Sequence, residues 1–145
     1  MPRRILFALL AAATGCNGPW FLLPGGELDG RVEPAPSDWT SLGEYGTAQL
    51  ETHPEEPYSV NLAFTVMDGR LYVNAGGTET QWVQHMEADP RVRLRVDGML
   101  YELRAERVTD PDEIAAFAHA WTRQSTFRRD PTGYDEVWIY RLEPR

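Results

Sequence analysis

Four uncharged side chains that can hydrogen-bond, Asn61, Thr65, Tyr72 and Asn74, fall at the even spacing of extended chain and share one strand face. Such a face suits a flat ring or a buried packing surface equally well. Groups for acid, base or nucleophilic chemistry are missing around it. His53, His85 and His119 are scattered, with no carboxylate or cysteine at ligand spacing, so no metal site is expected. No serine stands in a nucleophile-elbow pattern, and no glycine-rich loop has phosphate-cradling spacing. The single cysteine, Cys16, excludes an internal disulfide and leaves no thiol nucleophile in the folded part.

That face is positioned by two hairpins. Asp68-Gly69 lies between the runs Tyr58 to Met67 and Arg70 to Asn74, and Asp97-Gly98 between Arg91 to Val96 and Met99 to Val108. Both dipeptides supply the positive φ of a two-residue hairpin turn, so the pairings follow by counting. In the first hairpin Val66 opposes Leu71, Phe64 opposes Val73 and Leu62 opposes Ala75, an aliphatic face. Thr65 then opposes Tyr72 and Ala63 opposes Asn74, a polar one. In the second, Val96, Leu94 and Val92 oppose Met99, Tyr101 and Leu103, while Arg95, Arg93 and Arg91 oppose Leu100, Glu102 and Arg104. A slip of one residue would bury three arginines, which specifies the register strongly. In register, the arginines are expected on a solvated face with Glu102 and Glu106.

Around the hairpins, Thr47 to Thr52 reads as a strand. A helix is expected over about Gln81 to Ala88, capped by Thr78 or Thr80 and closed by Pro90. Trp82, Val83 and Met86 share its apolar face, which makes Trp82 a core residue or a ring that stacks on a ligand. Asp110, Pro111 and Glu113 form a complete helix start, followed by the apolar stripe Ile114, Phe117, Ala118 and Trp121. An arginine-bearing loop, Arg123 to Gly133, leads to a last strand from Tyr134 to Leu142. Arg128-Arg129 at its tip is a solvated loop or an anion contact.

The chain has 145 residues, no lysine and a formal charge of −8; without Arg3 and Arg4 the remainder stands at −10. An acidic chain with no basic stripe argues against nucleic acid as a partner. Met1 to Gly15 has the three-part layout of a secretory signal, with Arg3 and Arg4, an apolar run from Ile5 to Ala13, and small residues before Cys16. The run is too short to cross a bilayer permanently. Ala13-Thr14-Gly15-Cys16 resembles the lipobox of bacterial lipoproteins, which implies cleavage before Cys16, acylation of its thiol and a membrane-lipid anchor. An ordinary cleaved signal or a buried N-terminal helix are the alternatives. Asn17 after the cysteine leans towards the outer membrane, and Arg3-Arg4 before Ile5-Leu6-Phe7 resembles a twin-arginine export signal. Residues 16–38 are dense in Pro and Gly and read as a tether, part of which is expected to pack on the domain because of Trp20, Phe21, Leu22 and Leu23. A short strand is expected through Arg31, Val32 and Glu33. The domain proper is expected over residues 39–145.

The order strand, hairpin, helix, hairpin, helix, strand suggests a mostly β (α+β) chain, a small and mostly antiparallel barrel with two short helices; the resemblance that follows makes it an antiparallel split β-barrel. Leu71-Tyr72-Val73-Asn74-Ala75-Gly76-Gly77, then Trp82, then Glu87-Ala88-Asp89-Pro90-Arg91-Val92 resemble the matching stretch of the flavin-binding split β-barrel superfamily. That group includes pyridoxamine 5'-phosphate oxidase-like and deazaflavin-dependent nitroreductase-like proteins, and the resemblance spans roughly Trp39 to Trp121. It implies a homodimer holding FMN or a deazaflavin at the subunit interface, in an oxidoreductase. By position, Ser59, Asn61, Thr65, Asn74, Gly77, Thr78, Thr80 and Trp82 would line the cofactor site. The chain departs from oxidase-like members where they carry cations, placing Glu79 between the two threonines. The alternative implied is an envelope lipoprotein that keeps the barrel as a binding or structural module without cofactor.

Overall fold

The computed structural model describes residues 17–126, 128, 130–133 and 137–145; the leader, Cys16, Arg129 and Tyr134 lie outside the described residues. Both Asp-Gly turns form. Asp68 and Gly69 take φ of 51° and 73°, and Asp97 and Gly98 take 48° and 76°. They join β3 (Tyr58–Met67) to β4 (Arg70–Ala75) and β5 (Arg91–Val96) to β6 (Met99–Arg107).

The second hairpin pairs as counted, from Val96 with Met99 through Arg91 with Arg104. The first pairs Val66 with Leu71, Thr65 with Tyr72 and Phe64 with Val73, and stops there. Leu62–Ala75 and Ala63–Asn74 do not pair. β3 is matched along its length by β2 (Tyr45–Thr52), while β4 out to Ala75 is matched by β7 (Trp138–Pro144). Closing a barrel shears and splays neighbouring strands in this way.

β7 also pairs with β6 from Leu103 to Arg107, and β2 pairs with β5 at Gln49 to Glu51. Six antiparallel strands in the order β6-β5-β2-β3-β4-β7 therefore close on themselves. A seventh, β1 (Val32–Glu33), runs parallel to β6 at Leu100 and Tyr101, along the part of that edge which β7 leaves free. The expected split barrel is thus present. Its last strand starts at Trp138 and runs to Pro144, further along the chain than expected.

Leu50, Phe64, Leu71, Val73, Val92, Leu94, Leu103 and Leu142 fill the barrel. Gly46 faces Phe64 across the β2–β3 ladder, and a Cβ there would sit 2.7 Å from the Phe64 ring, so the glycine leaves room for the aromatic side chain. α1 (Gln81–Ala88) buries Val83 and Met86, and Trp82 packs against the same core. α2 (Pro111–Arg123) lies outside the barrel, where Phe117 joins Tyr72, Val108 and Ile139 in a second cluster.

Of the arginine row, Arg91 is exposed as expected and pairs with Asp89 and Glu55, but Arg93 and Arg95 are not part of a solvated ladder. Arg93 makes two hydrogen bonds of 2.7 Å to Glu51 and a third to the Leu28 carbonyl, while Arg95 donates to Gln49 and to the Asp29 carbonyl. Glu102 and Glu106 instead face Arg145 and Arg141. The cause is long-range: β2 supplies the partners, and the Pro/Gly-rich stretch lies over them. Within that stretch Leu28, 1% exposed, and Pro19 are buried, and Ala35 packs against the core. Trp20 to Leu23, whose apolar character suggested packing, are exposed.

Candidate functional site

The site residues expected from sequence fall in three places. On the outer face of β3, Ser59 is fully buried; its hydroxyl donates to the Gly26 carbonyl at 2.7 Å, and its backbone exchanges two 2.8 Å bonds with Gly25. Asn61 donates its amide to the carbonyls of Phe21 at 2.9 Å and Pro19 at 3.4 Å. This end of the face therefore holds the protein's own segment 17–26.

Further along, the face is covered by α2. Thr65 is buried and accepts a 2.7 Å bond from Gln124, the residue that ends the helix. Arg128 donates to Gln124 in turn and stacks on Trp121, its guanidinium carbon 3.8 Å from the ring centre. Tyr72 is buried beside Phe117 and donates to Glu113 at 2.7 Å. Asn74, half-buried, lies across from Ile139 of β7.

Glu113 stands three residues after the helix cap, where sequence reads it as half of a capping box. Asp110 does cap, accepting from the Asp112 N–H at 3.0 Å. The Glu113 carboxylate points at the barrel instead, where it accepts two bonds of 2.7 and 2.9 Å from Arg141 and one from Tyr72. Burial pushes the Glu113 carboxyl up, but the Arg141 and Tyr72 hydrogen bonds outweigh it and hold the group below the ordinary carboxylate range. Burial, and then Glu113, push the Tyr72 hydroxyl up to about 12.

The third place is the loop after β4, where Gly76 to Thr80 line a shallow, open depression. A Cβ at Gly76 would meet nothing within 4 Å. Thr80 occupies the cap position of α1, but its hydroxyl donates to the Gly77 carbonyl at 3.0 Å instead of accepting from the helix. Gln84 reaches back to the Thr78 carbonyl at 2.9 Å, so α1 fixes the loop's shape. Glu79 is the charged side chain in it, and it is exposed.

One pairing was not legible as a site element. His53 and His85, far apart in sequence, stack with ring centres 4.7 Å apart, and His85 also bonds Thr52 at 2.9 Å. Burial, and then His53, lower the His85 pKa. The pair has no carboxylate companion at ligand distance, and no group of metal-ligating side chains occurs among the described residues.

No protein-family model and no curated protein matches the chain. Solved structures do match its fold. A conserved hypothetical protein of Mycobacterium tuberculosis superposes with a TM-score of 0.57 at 19% identity, over 81% of this chain and 86% of that one. A putative pyridoxamine 5'-phosphate oxidase of Listeria innocua gives 0.54 at 17%, over 72% and 87%. A protein described as an F420 reductase gives 0.53 at 20%, over 77% and 96%. An FAD-binding protein of Mesorhizobium loti gives 0.51 at 20%, over 68% and 78%. The chain therefore has the split-barrel fold found in flavin- and F420-related proteins.

The side chains expected to hold a flavin phosphate are largely committed within the chain, while the start of α1 carries no side-chain cap. Charge-assisted contacts are roughly twice as strong as neutral ones, and an anion needs them or free donors at a helix start. Here Ser59 and Asn61 are committed to residues 19–26, Thr80 to Gly77, and the loop's charge is the repelling one of Glu79. The face expected for the ring is packed under α2 at Thr65 and Tyr72.

Proposed function

We propose that this chain is an exported envelope lipoprotein, anchored to membrane lipid through acylated Cys16, whose split barrel serves as a binding or structural module without a flavin nucleotide. One observation carries the reading: the polar groups on which a cofactor phosphate would land hold the protein's own segment 19–26. The signal-like leader and the lipobox-like Ala13 to Cys16 support the anchor, and Asn17 favours the outer membrane or its periplasmic face.

The second reading is a flavin- or deazaflavin-dependent oxidoreductase acting as a homodimer. It is favoured by the fold shared with an FAD-binding protein and an F420 reductase. It needs the uncapped start of α1, or arginines of this chain or of a partner subunit, to offset Glu79 at the loop.

An absorbance spectrum of the purified protein, followed by thermal shift with excess FMN, riboflavin and deazaflavin, separates the two. A colourless protein with an unmoved melting temperature is expected. Visible absorbance that stays with the protein, or a clear shift with any of the three, would overturn the cofactor-free reading and open the oxidoreductase one to a turnover assay. The anchor has its own test: a labelled fatty acid is expected on the natural chain and absent from Cys16→Ser.

A further inference from the structure

Four adjacent apolar side chains stand in the open: Trp20, Phe21, Leu22 and Leu23 are 78%, 79%, 85% and 61% exposed. Isolated exposed apolar residues are ordinary, but a contiguous cluster with two aromatic rings marks a contact surface. The cluster is also rigid. Trp20 and Leu23 close a tight reversal through two mutual backbone bonds of 3.0 and 2.8 Å. Phe21 at its tip has φ of 54°, a left-handed conformation that a bulky residue rarely adopts unless its surroundings hold it there. Asn61 does so by donating to the carbonyls on either side of Trp20.

The foot of the turn is pinned as well. The Gly26 N–H donates to the Asn17 carbonyl at 2.7 Å, and a Cβ on Gly25 would lie 2.4 Å from that same oxygen, so the entering and leaving chains touch. Asn17 directly follows Cys16. An acyl anchor on Cys16 would therefore attach one residue away from the pinned Asn17. No charged residue occurs from Asn17 to Gly26, although the chain as a whole carries −8.

We propose that Trp20 to Leu23 form a second membrane contact, a turn that enters the boundary between headgroups and acyl chains of the bilayer that holds Cys16. The proposal rests on reading Cys16 as acylated. Trp and Phe flanked by Leu, on a charge-free turn beside the point where the anchor leaves, suit that boundary. The acidic domain is repelled by anionic lipid, so the contact relies on apolar insertion and favours zwitterionic phospholipid. Acyl chains alone would leave the domain free to tumble. With the turn inserted, the Ser59–Asn61 end of β3 faces the bilayer.

The full chain, processed by a bacterial host and reconstituted in phosphatidylcholine vesicles with brominated acyl chains, tests this by tryptophan quenching. The natural protein is expected to lose part of its emission, and Trp20→Phe to lose that quenched part while staying vesicle-bound. Equal fractional quenching in both would overturn the proposal. So would a variant with serine at residues 20–23 that leaves the quenching unchanged but converts a dimer to a monomer in light scattering, since a second copy would then be the occupant. Fatty-acid labelling of the same preparations keeps the two readings apart. An unlabelled chain whose Trp20 is still quenched loses the anchor and keeps the turn; a labelled chain without Trp20 quenching does the reverse.

Discussion

Two coverings lie on the outside of one barrel, and they are held in opposite ways. α2 is seated by apolar packing, with Phe117 fully buried against Tyr72, Val108 and Ile139, and the Glu113–Arg141–Tyr72 network is added at its edge. Residues 17–33 bury little apolar surface, chiefly Leu28 with Pro19, and otherwise hold through polar groups: the Leu28 N–H on Glu51 and its carbonyl on Arg93, Gly26 on Ser59, and Phe21 on Asn61. A surface that grips by hydrogen bonds must present polar side chains, and those are the same types that would hold a ligand. The difference shows why a polar stripe does not by itself announce a binding site.

The contrast can be broken from either side. Phe117→Ala is expected to have the largest effect, a loss of about 4 kcal/mol in denaturant unfolding, because it removes a fully buried ring. A loss below about 1 kcal/mol would mean that α2 does not depend on its apolar seat. Glu51→Ala is expected to cost less, about 2–3 kcal/mol. It strands Arg93 and the Leu28 N–H, but the Arg93 side chain is 18% exposed and keeps some water. Limited proteolysis should then cut within residues 17–33 and spare α2; cleavage in α2 first would contradict this division.

Tyr72→Phe comes next, at about 1 kcal/mol near neutral pH, since one hydrogen bond to Glu113 is lost while Arg141 keeps the carboxylate paired. Its pH dependence is the sharper reading. The buried hydroxyl keeps its proton to about 12, whereas an unfolded tyrosine releases it near its ordinary value of 10.0. Stability therefore falls as pH rises from about 10 towards 12. Melting curves of Tyr72→Phe across that window are expected to fall less steeply than those of the natural chain, and identical slopes would contradict the assignment. Smallest of all is Glu79→Arg. It turns the open loop cationic but leaves Ser59 and Asn61 committed, so titration with FMN is expected to show no gain in affinity, and a tenfold gain would reopen the loop as a phosphate site.

What could be read from sequence tracks the distance between partners along the chain. Asp68-Gly69 and Asp97-Gly98 impose their geometry on immediate neighbours, so both registers were open to counting. The same counting placed Arg93 and Arg95 correctly on an outer face and said nothing of what lies over it. Their partners Glu51 and Gln49 are 42 and 46 residues away. Ser59 finds Gly26 across 33 residues, and Asn61 finds Phe21 across 40. Glu113 shows a different obstacle. Its position after Asp110 reads identically whether the carboxylate returns to the helix start or turns onto the sheet, and only the presence of Arg141 decides.

The ring of strands is completed by β7, the last of them in chain order, which pairs with β4 on one side and β6 on the other. No portion of the chain that stops short of Trp138 can form a closed cylinder. During synthesis the outer edges of β4 and β6 stay unsatisfied until that segment arrives, and such bare edges invite wrong pairing between chains. The barrel thus cannot close until that segment has been made, and the interval before it arrives is the one most open to mispairing.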